Sequence, residues 1–146
     1  MRLTLRKMAD NFREPAFFQA NGTPLNRSNF FHYLKSRLQL KPKNVLLIGE
    51  NHSDPSSHKL EMEILQKAAE FKPGETALSL EFYDRSAQAV LDEYLLDFID
   101  YETFLDHSNP PANHKDYRPL IDFCKANKLP VIAANCSRRH SRLMSR

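Results

Sequence analysis

Asn44-Val45-Leu46-Leu47-Ile48-Gly49-Glu50-Asn51-His52 is the stretch that decides the fold. Four consecutive apolar residues, cut off by a glycine and followed at once by polar groups, match a strand buried on both faces of a parallel sheet. The residues after it read as its crossover. Asp54-Pro55 is a cap followed by a first-turn proline, and Leu60, Ile64, Ala68 and Phe71 recur with helical period while Glu61, Glu63, Gln66, Lys67 and Glu70 face away. Pro73-Gly74 closes that helix. A second strand over residues 77–80 then runs directly into Glu81, and Asp84 caps a helix carrying Ala87, Val90, Leu91, Tyr94, Leu95 and Phe98 on one face.

Further along, residues 106–116 form a Pro- and Asn-rich loop, and Pro119 marks the first turn of a helix through Leu120, Phe123 and Cys124. Leu129-Pro130 leads into a third strand over residues 131–134, and Ser137 caps a final helix. Toward the amino end the signals weaken. Residues 16–20 suit a short strand, Asn21-Gly22 a turn, and Asn26 or Ser28 the cap of a helix over residues 27–39 that buries Phe30, Phe31, Tyr33 and Leu34. The alternation predicts an α/β fold, a mostly parallel sheet with helices on both faces.

Composition limits the function classes. With 146 residues, 41% hydrophobic, 27% charged and only three glycines, the chain suits one globular domain and excludes fibrous and disordered classes. Residues 1–17 read as a basic extension before a domain over residues 18–146. No run approaches the ~18 apolar residues of a membrane span, and the basic start has no apolar region behind it, which predicts a cytoplasmic protein without signal peptide or lipobox. Cys124 and Cys136 fit free thiols in a reducing compartment. Both ends are basic and the middle acidic: residues 45–117 hold fifteen Asp/Glu against five Lys/Arg. The basic ends lack aromatic platforms and any nucleic-acid motif, so no nucleic-acid partner is expected.

Function is read from the strand ends, where ligands of open α/β sheets bind. Strand one delivers Gly49, Glu50, Asn51 and His52; strand two delivers Glu81, Tyr83 and Asp84; strand three delivers residues 135–139, including Arg138 and Arg139. His58 falls in the first turn of the next helix, within reach of His52. Imidazoles and carboxylates converging on one rim are ligand types for Zn, Mn or non-haem Fe, and a carboxylate beside them suits a general base. Each residue alone also fits a helix cap or a satisfied rim group. Gly49 is expected to supply a positive φ or room for close backbone approach. Arg138 and Arg139 at a helix start suit a bound carboxylate or phosphate.

The segments VLLIGENHSDPSSHKLEMEILQ, LSLEFYDRSAQAVLDEYL and DYRPLIDFCKANKLPVIAANCSRRHSRLMSR together resemble the ChaN-like haem-binding uptake family, within the superfamily that holds the Tiki proteases and erythromycin-esterase-like proteins. The resemblance covers about residues 18–146. It implies a mostly parallel α/β fold and, for bacterial lipoprotein members, haem bound at a dimer interface, with a tyrosine on the iron and a histidine assisting. Tyr83, Tyr117 and His52 are the candidates here. The Tiki branch implies a divalent-metal site through a G-x-x-H motif and a glutamate, which fall on Gly49, His52 and Glu81. Family members usually continue past the third-strand block and carry a tryptophan before DYRPL, so the resemblance implies a carboxyl-terminally shortened member with an incomplete domain; the unpaired edges of so small a sheet predict marginal stability or self-association.

Two functions from different classes follow. The first is a domain binding haem or another iron-bearing small molecule at the strand ends, with Gly49, His52, His58, Tyr83, Tyr117, Arg138 and Arg139 as its contacts. The second is a divalent-metal hydrolase in which Glu50, His52 and Glu81 hold metal, with Glu50 and Glu81 as catalytic carboxylates. A catalytically silent homologue is the remaining alternative.

Overall fold

Asn21-Gly22 reverses the chain between two short strands, β1 (Phe17–Phe18) and β2 (Pro24–Leu25), which pair antiparallel. Gly22 takes a φ of +83°, a conformation open to glycine without steric cost, and Asn21 Oδ1 accepts from Thr23 N–H at 3.1 Å. Asn26 then caps α1 (Arg27–Leu40) by accepting from Asn29 N–H at 2.8 Å. The computed structural model describes residues 16–40, 43–52, 54–137 and 140. It divides into two compact units, Met1–Phe71 and Lys72–Arg146.

In the first unit α1 packs on α2 (Pro55–Phe71). Leu34, Ile64 and Leu65 are buried there, Phe17 stacks on Phe30 with ring centroids 4.4 Å apart, and Arg27 forms a two-pronged ion pair with Glu63. Tyr33, expected inside, is exposed and hydrogen-bonds Arg37 through its hydroxyl, because the α1 stripe facing α2 is narrower than its aromatic content suggests. Asp54 caps α2 by accepting from Ser56 N–H at 2.9 Å, which fixes where the helix begins and so where His58 stands.

Residues 45–48 are the largest departure from expectation. They form no strand: no backbone ladder among the described residues includes them, and Val45 and Leu47 are 87% and 88% exposed. A strand buried on both faces needs neighbours at its edges and layers above and below, and the described residues of the first unit supply neither. Gly49 changes with it. Its φ is not positive and a Cβ there would meet open space, so neither expected reason for glycine holds where no tight strand-to-helix turn exists.

In the second unit β3 (Leu78–Asp84) pairs in parallel with β4 (Val131–Asn135), joined by a 3-10 turn (Arg85–Ala87) and three helices, α3 (Gln88–Leu95), α4 (Tyr101–Ser108) and α5 (His114–Ala126). This is a mixed α/β fold whose parallel sheet has two strands among the described residues. Leu78 to Leu80 align with Val131 to Ala133, but Asp84 faces Asn135, so β3 advances four residues where β4 advances two. That bulge lets Leu80 and Tyr83, an odd number of residues apart, both point inward. On the opposite face Ser79, Glu81, Ile132 and Ala134 are exposed, so the described residues of this unit cover one face of the sheet and not both.

The core of this unit gathers Tyr83, Leu91, Phe104, Ile121, Cys124 and Val131, all nearly inaccessible. The predicted helix after Asp84 is shorter than expected, because Asp97 takes a left-handed φ of 61° and leaves Phe98 exposed. A helix that periodicity did not announce, α4, starts where Asp100 accepts from Thr103 N–H at 2.8 Å. Likewise α5 begins at His114 inside the expected loop, so Pro119 stands within the helix and not in its first turn. The helix predicted after Ser137 lies almost wholly outside the described residues.

One side chain completes the sheet. Leu78 N–H donates to the Pro130 carbonyl at 2.9 Å, so the backbone groups of Val131 and Ala133 point away from β3. Gln88 meets them: its amide donates to the Val131 carbonyl at 2.9 Å and accepts from Ala133 N–H at 2.8 Å, replacing a neighbouring strand. Gln88→Leu is expected to lower unfolding free energy in urea by about 1–3 kcal/mol, since it strands a donor and an acceptor. Gln88→Glu, which would turn an acceptor toward the Val131 carbonyl and the Asp92 carboxylate, should not recover that loss; equal stability of all three proteins would contradict the role.

Candidate functional site

The Asp54 cap sets His58 in the first turn of α2, and helical geometry puts Glu61, three residues on, beside it on the same face. The chain before the helix brings Glu50 to the same place. Ligand atoms of Glu50, His58 and Glu61 lie within 4.8 Å of one another, with each side chain only 12–13% exposed. His58 Nδ1 is 3.3 Å from Glu50 Oε2 and 3.3 Å from Glu61 Oε2. On its other side, His58 Nε2 donates to the His52 carbonyl at 3.3 Å. The second oxygen of Glu50 binds His52 Nδ1, and the His52 side chain stands 63% exposed.

The electrostatics follow from burial. Removing carboxylates from water disfavours their charged form, and two of them side by side repel. Burial and the hydrogen bond that the protonated Glu61 carboxyl donates to Glu50 raise Glu61 to about 7, against the pull of His58. For His58, burial works to lower the imidazole, but the Glu61 hydrogen bond, the His52 carbonyl and the Glu50 charge outweigh it and raise it. Asp54 goes the other way, held low by the Ser56 N–H it accepts.

The remaining residues singled out in the sequence fall elsewhere. Glu81 stands on β3 of the second unit, within the bulge and exposed. Tyr83 and Tyr117 sit in that unit's aromatic core, 1% and 4% exposed: Tyr83 lies 5.4 Å from Phe104 and Tyr117 3.8 Å from Phe82 between ring centroids. Burial pushes the Tyr83 phenol up, and its hydroxyl has no hydrogen-bond partner among the described residues. Arg138 and Arg139 lie outside the described residues. Cys124 and Cys136 are free, Cys124 buried with its thiol pushed up to about 12. Glu61 is the member that sequence reasoning missed, having been assigned to the solvent face. The signal for it was present in His58-x-x-Glu61, a spacing that converges two ligand types on one helix face.

The raised carboxyl has a measurable consequence. In the unfolded chain Glu61 titrates near 4.5, so between that value and about 7 only the folded state keeps the proton, and stability from this group is full below pH 4.5 and lost as pH rises through 7. His58 adds to the same trend above 6.5. In EDTA-treated protein, the stability difference between wild type and Glu61→Gln should therefore shift against the wild type as pH rises from 5 to 8. A pH-independent difference in urea unfolding would show that Glu61 is not held in its neutral form.

Among the described residues no helix is long and apolar enough to cross a membrane. No curated protein and no solved structure matches the chain. The family model describing haem-binding uptake proteins of the ChaN type, in the Tiki superfamily, matches residues 38–146 and so spans parts of both units, the Glu50–His58–Glu61 cluster and the sheet with its Gln88 clamp. With three quarters of its length matched, the chain belongs to the ChaN haem-binding uptake family of the Tiki superfamily.

Proposed function

We propose that this chain binds haem, or a related planar iron-bearing ligand, with His52 as the side chain facing the iron. The observation that carries this reading is an exposed apolar run followed closely by an exposed imidazole. Residues 45–48 offer apolar surface, and His52 comes four residues after Ile48. A porphyrin needs an apolar face and a nitrogen donor, and pockets for such ligands are mostly apolar with few polar groups that fix orientation. Family membership supports the same ligand class.

The residues present fit the group. Glu50 accepts from His52 Nδ1, which sets the tautomer, places the imidazole lone pair on Nε2 and raises its basicity. Bound iron would supply a Lewis-acidic, redox-active centre. Tyr83 and Tyr117 lie inside an aromatic core, so the first contact falls to His52 instead of a phenol. Self-association belongs to the same reading, since a second copy would cover the apolar run.

Titration of the purified chain with haemin tests it. A saturable Soret shift at one haemin per chain is expected, with His52→Ala weakening binding at least tenfold and Tyr83→Phe leaving it unchanged. Non-saturable absorbance changes, or equal affinity for His52→Ala, would contradict the assignment.

A further inference from the structure

We propose that Glu50, His58 and Glu61 form a separate site for one divalent first-row transition ion. This goes beyond haem binding: it uses different ligand atoms and takes the ion without a porphyrin. It also differs from the Gly49, His52 and Glu81 set that the family resemblance implies.

Three observations carry the assignment. The first is convergence, one imidazole nitrogen and two carboxylate oxygens within 4.8 Å of one another, so a single ion between them would touch all three. The second is the direction of the ring. His58 Nε2 donates to the His52 backbone carbonyl, so the neutral imidazole has its lone pair on Nδ1, the nitrogen that faces Glu50 and Glu61. Metal-bound histidines are held in this way, the far N–H anchored on a carbonyl or carboxylate outside the ligand set. The third is charge. As ligands, two carboxylates 12–13% exposed present two negative charges, which a divalent ion matches. The amino end of α2 contributes only about half a positive charge in opposition.

The donor set selects among ions. An imidazole beside two carboxylates suits Mn2+, Fe2+, Co2+ or Zn2+, whereas Ca2+ and Mg2+ favour oxygen-only shells. The three side chains hold one side of the ion and leave other positions for water. Glu50 connects this site to the haem reading, because its second oxygen holds His52.

Mn2+ is the probe of choice because it reports its own ligands. Titrated into EDTA-treated, dialysed full chain, it should bind at one ion per chain by calorimetry, with Ca2+ at equal concentration failing to displace it. Pulsed electron paramagnetic resonance of the bound Mn2+ should show one imidazole nitrogen. His58→Gln should abolish that nitrogen signal and weaken binding at least tenfold, Glu61→Gln should weaken it at least tenfold, and Glu81→Gln should leave it within twofold of wild type. Circular dichroism establishes which variants are folded, and if one is not, the nitrogen signal of the wild-type complex decides. Absence of saturable binding, a bound ion without nitrogen coupling, or loss of binding in Glu81→Gln alone would overturn the proposal.

Discussion

Two carboxylates meet one imidazole in a place where water is scarce, and that unfavourable meeting constrains the chain around the amino end of α2. Left to themselves Glu50 and Glu61 would repel, so the molecule must supply positive charge, a proton or an ion between them. His58 supplies part of that charge and a proton kept on Glu61 the rest, because burial and the neighbouring Glu50 raise the Glu61 carboxyl to about 7 against the pull of His58. The supporting parts are local. Asp54 starts the helix, the first turn points His58 back at the His52 carbonyl, and Glu50 spans His52 and His58 with its two oxygens. A cluster maintained at this electrostatic cost needs a ligand or a role in folding to account for it, and its geometry suits an ion.

A second constraint governs the carboxyl-terminal unit, the need to pair every backbone group at the edge of a small sheet. Two strands leave two edges, and exposed edges invite pairing with other chains. Gln88 closes one of them from a helix, at the cost of a side-chain amide pointed inward. The bulge in β3 serves packing in the same unit, turning Tyr83 into the aromatic cluster after Leu80 has already faced it. Glu81 is thereby left outside, on the uncovered face.

Much of this was legible in the sequence, and the rest was not for definable reasons. Asp54-Pro55, Pro73-Gly74 and the Ile64 stripe mark α2 because caps, breakers and periodicity are local signals that packing did not override. The 131–134 run became β4 for the same reason, with Pro130 tolerated at its entrance. Residues 45–48 carry an equally strong signal yet form no strand, because pairing is a property of neighbours and not of the run itself. Helix α4 was invisible since Tyr101, Phe104 and Ser108 face inward across a segment too short for its period to stand out. Glu61 escaped because a charged residue on a helix is ordinarily solvated, and only the partners brought in by Glu50 make it otherwise. Gln88 sits in the motif that suggested the family, but that its amide would replace a strand follows only from the register of β4.

The most direct test of the account is X-ray absorption at the zinc edge, on chain loaded with one equivalent of Zn2+ after EDTA treatment. With Glu50, His58 and Glu61 as the ligands, the first shell should fit a single imidazole nitrogen with oxygen donors at about 2.0–2.2 Å and no sulfur. A shell with two imidazoles, or with Cys136 sulfur near 2.3 Å, would place the ion elsewhere and contradict it.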